Sequence, residues 1–288
     1  MKAELIDVVD NIQNLRVLPA TTVRLISLLS DPSTSIDEIL KVIQYDQNLT
    51  IQVLKICNSA YFGLTRKINS LREAVIYLGA KNLMNVVMGL HCNAMLQQPQ
   101  KGYGLLPGML WRHSTAVAIA ADKLVDKNDK NPTPAGLLFT AGLLHDIGKV
   151  ILDQALANNY LEILEKLEST SKQFNELERE VLGYSHDDVG EMVLLHWQLP
   201  EMLASVCRYH HDPDKYEGQD PQVRHLVDLV HMADSLVISL GLGVGIDGLR
   251  YEFNSAIAER NKLTHEKIDQ VGSEVLLEIK SLEQIYQE

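Results

Sequence analysis

The stretch Leu143-Leu144-His145-Asp146-Ile147-Gly148-Lys149 places a histidine and a carboxylate directly after an apolar run that begins at Ala141. Apolar residues with helical spacing surround it, which predicts a buried helix over about 134–152. A carboxylate in such a place is costly unless it is paired or bound to a metal ion. Imidazole and carboxylate are both good ligands for divalent transition metals. A lone His-Asp pair is more often a hydrogen-bonded pair in the core, so the rest of the chain decides between these interpretations.

Four further segments carry a histidine or an aspartate at a place where the surrounding sequence does not predict a solvent-exposed side chain. These residues lie on a mostly apolar helix, at a helix start, at a helix end and inside another apolar helix, and they are His113, His186, the adjacent His210 and His211, and Asp234. Any one of them could be a structural hydrogen-bonding residue. Taken together they are better explained by convergence on one buried metal centre.

The predicted fold is an all-α, multi-helix bundle, because apolar residues recur with helical spacing almost everywhere and convincing alternation is absent. Ser35 with Glu38, and Ser70 with Glu73, are predicted to form capping boxes. Gly79 is a plausible end for the helix that starts after Ser70. Later helices are predicted at about 110–125, 134–152, 157–168, 172–182, 186–197, 200–210, 222–240, 249–260 and 264–285.

A segment rich in proline and glycine, 97–108, is the best internal boundary. It divides the chain into a predicted N-terminal helical subdomain, 1–100, and a second helical subdomain, 105–288, which carries the His/Asp cluster. Within the first part, the helices of 36–59 could form a helix-turn-helix. The second of these helices is largely apolar, whereas a recognition helix should present several polar side chains to the bases. Core packing is therefore the preferred interpretation.

Composition limits the classes of partner and the compartment. With 26 basic and 38 acidic residues the net charge is −12, so nucleic acid is an unlikely principal partner. The first residues lack the basic start and apolar run of a signal peptide. The most membrane-like stretch, 226–246, contains Asp228, His231 and Asp234, which would be costly in lipid. The three cysteines form no CxxC pair, which favours reduced thiols. These features predict a cytoplasmic protein without a membrane partner.

The chain resembles the HDOD branch (HD-related output domain) of the HD superfamily of metal-dependent phosphohydrolases. The order His, His-Asp, His, His-His, Asp carries part of the resemblance, and the N-terminal half carries the rest, over about residues 5 to 245. The N-terminal motifs are Leu18-Pro19-Ala20, Gln44-Tyr45-Asp46-Gln47-Asn48-Leu49-Thr50, Leu54-Lys55-Ile56-Cys57-Asn58-Ser59-Ala60-Tyr61-Phe62 and Ile68-Asn69-Ser70-Leu71-Arg72-Glu73-Ala74-Val75-Ile76-Tyr77-Leu78-Gly79.

The resemblance implies a role for each residue of the cluster. It assigns His113, His145, Asp146 and Asp234 to a first metal, and His186, His210 and His211 to the additional ligands of two-metal relatives. Asp146 would bridge the metals, and Lys149 would face a phosphate. The chain departs from the cyclic-di-GMP phosphodiesterases, because Asp187-Asp188-Val189-Gly190 follows His186 where they carry a Gly-Tyr-Pro stretch. This departure counts against cyclic-di-GMP hydrolysis.

Two functions follow from the resemblance. The first is an output module of bacterial signal transduction that acts through signalling proteins, with a receiver domain possible in a longer chain, and that retains a metal site. The alternative is a metal-dependent phosphohydrolase or phosphodiesterase that acts on a nucleotide or phosphate ester, with Asp146 and Lys149 as catalytic residues. The ligand types suit one or two ions of iron, manganese, zinc or nickel alike.

Overall fold

The computed structural model describes residues 18–31, 33–59, 62, 64, 66–125, 136–248 and 254–287, and these residues contain helices and no strand. The all-α prediction is confirmed. The α-helices are α1 (Ala20–Ser30), α2 (Ile36–Ile43), α3 (Gln47–Cys57), α4 (Leu71–Leu96), α5 (Met109–Leu124), α6 (Leu137–Leu144), α7 (Gly148–Asn158), α8 (Tyr160–Ser169), α9 (Phe174–Leu182), α10 (His186–His196), α11 (Glu201–Tyr209), α12 (Pro221–Ser239), α13 (Ser255–Arg260) and α14 (His265–Gln287).

Local signals account for several helix ends. The predicted capping box at Ser35 and Glu38 is present with both of its hydrogen bonds. At Ser70 the side chain accepts from the backbone N–H of Glu73, but the Glu73 carboxylate pairs with Arg66 at 2.6 Å. Gly79 interrupts α4 with a φ of 67°, a conformation that glycine adopts without steric cost. The predicted helix break at Gly79 is thus confirmed.

The prediction of one continuous helix over 134–152 is wrong. α6 ends at Leu144, the residues 145–147 form a turn, and α7 begins at Gly148. Gly148 packs so closely on α10 that a Cβ there would overlap the carbonyl oxygen of His186. Glycine therefore permits the backbone contact that fixes the turn beside α10. The predicted start of this helix at 134 lies outside the described residues, as does the first part of the predicted helix at 249–260.

Helix α5 lies at the centre of the molecule and is buried along most of its length. It packs against α4, α6, α12 and α14. Small residues allow the close approach to α6, because a Cβ at Gly142 would lie 2.7 Å from the Cα atom of Ala118. This packing brings the start of α5 and the end of α6 together, and with them His113 and His145. The division into 1–100 and 105–288 stays a prediction.

Three other expectations concern the helices of 36–59, the membrane and the cysteines. α3 buries Leu49, Val53 and Cys57 in the core, which agrees with the packing interpretation of this helix. Among the described helices, none combines the length and the apolar composition needed to cross a membrane. All three cysteines are buried and form no disulfide.

Candidate metal centre

The residues predicted to bind metal converge on one buried point. They form two groups in which the potential ligand atoms lie within 4.8 Å of one another, namely Asp146, His186, His210 and His211, and His113, His145 and Asp234. Every one of these residues is between 0 and 5% exposed. The side chains come from five segments of the chain, so tertiary packing alone brings them together.

Asp146 lies between the two groups and turns one carboxylate oxygen towards each. Its Oδ2 atom is 3.4 Å from Nε2 of His145 and 3.7 Å from Nε2 of His113. Its Oδ1 atom is 3.4 Å from Nε2 of His186 and 3.7 Å from Nε2 of His210. A single carboxylate can therefore contribute a ligand atom to both groups, which is the arrangement of a bridging ligand in a two-metal site.

Backbone carbonyls orient three of the histidines. Nδ1 of His113 donates to the oxygen of Leu242 at 3.2 Å, and Nδ1 of His145 donates to the oxygen of Gly142 at 2.7 Å. Nδ1 of His210 donates to the oxygen of Cys207 at 2.8 Å. A carbonyl can only accept, so each Nδ1 carries a proton. In His145 and His210 the neutral ring therefore presents the lone pair of Nε2 to the cluster, whereas Nε2 of His113 faces Oδ1 of Asp234 at 3.1 Å. Such outer hydrogen bonds are typical of metal-ligating histidines.

The centre of the cluster contains polar atoms that protein groups do not satisfy. Nε2 of His145, Nε2 of His210 and Oδ1 of Asp146 are buried without a hydrogen-bond partner. Unsatisfied buried polar atoms cost free energy, and native proteins contain few of them. A divalent transition metal would use all three as ligands. The residues present therefore fit the metal that the fold implies.

Electrostatics inside the cluster favour ionised carboxylates. Burial opposes ionisation of Asp146, but the charges of Lys149 and the surrounding histidines outweigh it and hold the pKa of Asp146 well below its ordinary value. Burial likewise opposes ionisation of Asp234, but the hydrogen bond from His113 and the charge of that residue outweigh burial and lower the pKa of Asp234 to about 2. Burial lowers the pKa of His210 to about 3. These groups are thus anionic or neutral near neutral pH, as metal ligands must be.

Lys149 does not face an open phosphate site. Its Nζ atom donates to Oδ2 of Asp146 at 2.6 Å and to Oδ2 of Asp247 at 2.5 Å, and the side chain is buried. Asp247 was not predicted as a site residue. It lies in the loop after α12, where no helical spacing points to it, and the neighbouring glycines were the only sequence signal for this loop.

The loop 241–248 covers the cluster. Gly243 adopts a φ of 66° and approaches α5 so closely that a Cβ would lie 2.8 Å from the Cβ of His113. Ile246 donates its backbone N–H to the oxygen of Tyr103 at 3.0 Å, which ties the loop down at a second place. The cavity enclosed by this loop, Lys149, His211 and Asp234 has a volume of about 10 Å³. A space of that size holds about one water molecule.

A buried carboxylate, also missed by the sequence analysis, positions His186. Oε2 of Glu178 accepts from Nδ1 of His186 at 2.6 Å and from its backbone N–H at 2.9 Å, and Oε1 accepts from the hydroxyl of Tyr103 at 2.6 Å. Burial lowers the pKa of His186, but Glu178 outweighs it and raises the pKa to about 9. The Nε2 atom of His186 lies 2.8 Å from Nε2 of His211, so a metal bound there would displace the proton between them.

The Glu178→Gln substitution should weaken metal binding at the group of His186 by roughly 10- to 100-fold, because the amide no longer orients and polarises that ring. Competition with a chelator, followed by the metal content of the protein, measures the effect. Glu176→Gln on the same helix is the control, since Glu176 is exposed and caps the start of α9 at Gln173. Equal metal retention in both variants would contradict the role given to Glu178.

The chain matches the family model of the HDOD domain over residues 15–213. It belongs to the HDOD family. The HDOD chain is also 25% identical over 218 residues to an uncharacterized protein of Treponema pallidum; the match covers 73% of this chain and 41% of that protein. It therefore spans less than half the length of this curated relative.

Solved structures share the fold. An HDOD domain protein of unknown function from Geobacter sulfurreducens is 25% identical, with a TM-score of 0.68 and coverage of 96% of this chain and 94% of that one. A protein from Marinobacter aquaeolei VT8, provisionally named a signal transduction protein, is 21% identical with a TM-score of 0.71, covering 98% and 65%. A provisionally named phosphohydrolase from Shewanella amazonensis SB2B is 19% identical with a TM-score of 0.61, covering 93% and 98%.

Of the five histidines outside the cluster, three have hydrogen-bond partners and two lie at the surface. His91 contacts Thr22 and the oxygen of Val87, and His225 contacts Asn261. His196 and His265 are exposed. His231 donates from Nδ1 to the oxygen of His210 at 2.7 Å. In this HDOD chain His231 thus supports the backbone of a cluster residue.

Proposed function

We propose that this protein is a metal-binding signalling module of the HDOD family, which acts through protein partners and holds its metal in a closed site. The observation that carries the proposal is a complete ligand set under a closed loop. Histidines of both groups of candidate ligands lie within 4 Å of an oxygen of Asp146, yet the space above them has a volume of about 10 Å³. Ligands for metal are therefore in place, whereas a phosphate ester has no room beside them.

The proposed ligand assignment follows the two groups. His113, His145, Asp146 and Asp234 would hold one ion, and Asp146, His186, His210 and His211 a second. A bound divalent cation would neutralise the buried carboxylates and join five chain segments in one structure. Lys149 pairs with both Asp146 and Asp247, and so would hold the loop closed over the cluster. In this proposal the surface presented to signalling proteins depends on a centre that metal keeps rigid.

A phosphohydrolase is the second candidate, and the bridging position of Asp146 favours it. Two metals that share a carboxylate can bind a water of lowered pKa and clamp a phosphate. For this activity the loop 241–248 would have to open and Lys149 would have to leave Asp247, which frees its ammonium group for a phosphate oxygen. The same ligand set thus serves both functions, and the position of the loop separates them.

The test combines metal analysis with a search for turnover. We expect the purified protein to retain a transition metal and to leave a broad panel of phosphate esters and nucleotides intact. Elemental analysis and release of inorganic phosphate are the two measurements. Turnover by metal-loaded protein that disappears in Asp146→Asn would decide for the phosphohydrolase. Folded protein that binds no metal would refute both candidates.

The proposal of protein partners rests on membership of the HDOD family and not on a particular surface of this chain. We propose signalling proteins, among them a receiver domain, as the source of input. A binding assay with metal-loaded and metal-stripped protein tests this point, since the proposal requires partner affinity to fall when the centre loses its metal.

A further inference from the structure

A second cavity lies on the side of α5 that faces away from the metal centre. Its volume is about 440 Å³, within the range of pockets that bind small molecules. Helices α3, α4, α5, α6 and α14 contribute to its walls. The apolar lining comes from Val86, Trp111, Ile119, Phe139 and Leu143.

Two polar atoms in this lining are buried and have no hydrogen-bond partner. They are the hydroxyl oxygen of Thr115, a residue only 5% exposed, and the side-chain oxygen Oδ1 of Asn85. A hydroxyl can donate and accept, whereas an amide oxygen can only accept. A ligand that offers one acceptor and one N–H or O–H donor would therefore satisfy both atoms.

The charged side chains of the cavity are already paired. Lys81 binds Asp122 at 2.7 Å, and Lys123 binds Glu274 at 2.8 Å and Glu278 at 2.7 Å. An anionic ligand such as a nucleotide would have to break one of these pairs to find a cation. The flat side chains Trp111 and Phe139 instead favour an uncharged ring system.

We propose that this cavity is a binding site for a neutral, planar heteroaromatic molecule that carries an N–H or O–H donor beside an acceptor. The donor bonds to Oδ1 of Asn85, the acceptor receives the hydroxyl of Thr115, and the rings lie against Trp111 and Phe139. The proposal is independent of the metal centre and gives the module a site for a chemical signal.

Quinolin-2(1H)-one is a suitable probe, because it is neutral and planar and places an N–H next to a carbonyl. We expect saturable binding to the full chain with a Kd of about 100 µM, typical of a ligand of this size. 1-Methylquinolin-2(1H)-one has the same rings without the donor and should bind at least roughly tenfold more weakly. Calorimetry or ligand-detected NMR measures both.

Two variants locate the site. Thr115→Val removes the hydroxyl at nearly constant volume and should weaken quinolinone binding roughly five- to tenfold while the protein remains folded. Ser114→Ala is the matched control, since Ser114 is another buried hydroxyl of α5 without a hydrogen-bond partner, and it does not line the cavity. Absence of saturable binding by folded protein would overturn the proposal, as would equal affinity of the two quinolinones or binding that Thr115→Val leaves unchanged.

Discussion

Asp146→Asn should remove metal from both ligand groups at once. The carboxylate turns Oδ1 to one group and Oδ2 to the other, and an amide offers only one oxygen and no charge. We expect the metal content to fall from about two ions per chain to less than roughly a tenth of that value, a loss of more than 100-fold in affinity, beyond the effect of outer-shell substitutions. Elemental analysis of purified protein measures the content, and circular dichroism verifies the helical fold.

Two variants test the bridging role against simpler explanations. His186→Ala removes a ligand from one group only and should leave about half of the metal bound. Asp228→Asn replaces another buried carboxylate, which pairs with Arg260 away from the cluster, and should leave the metal content unchanged. If Asp146→Asn lost only as much metal as His186→Ala, the proposal that Asp146 is a ligand of both metal ions would be wrong.

Gly148→Ala should destabilise the fold by about 3 kcal/mol. The added Cβ would overlap the carbonyl oxygen of His186 and lie 2.8 Å from the backbone nitrogen of Gly190. Both obstacles belong to the backbone, so relief requires α7 and α10 to separate. The melting temperature should fall by roughly 6–12 °C in thermal denaturation of the metal-free protein.

Gly272→Ala is the matched control for this prediction. Gly272 lies within α14, and the nearest atom to an added Cβ is Cδ1 of Leu236 at 3.5 Å. Alanine in such a helix should stabilise the protein by about 0.5–1 kcal/mol. A Gly148→Ala protein as stable as the unmodified chain would show that α7 and α10 can separate without loss of stability, which would contradict the prediction.

The convergence of the cluster was predictable because its polar residues stand within or next to apolar segments. His113 and Asp234 interrupt apolar helices, and His145 and Asp146 follow an apolar run, so each needed a buried partner. The all-helical class followed from apolar spacing in the same way. Spacing could not reveal the turn at 145–147, since the apolar pattern continues through it and only the contact of Gly148 with α10 explains the break.

Glu178 and Asp247, which contact the cluster from outside, could not be predicted from the sequence. The physical reason differs from that for the turn. Glu178 lies on a helix rich in acidic residues, where one more glutamate carries no signal, and only the fold shows that it is buried against Tyr103 and His186. Asp247 belongs to an irregular loop whose path depends on Gly243 and on the backbone of Tyr103. Residues of this kind are identified by three-dimensional contacts rather than by periodicity.

The central helix α5 turns opposite faces to the His/Asp cluster and to the cavity proposed as a second site. His113 is two positions away from both Trp111 and Thr115, and a two-residue step on a helix turns a side chain to the other side. A molecule that shifts α5 to fit the cavity would therefore shift His113 relative to Asp146 and Asp234. By thermodynamic reciprocity, such a molecule and the metal ion would change each other's affinity by the same factor. Helix α5 would then couple the binding of one to the binding of the other.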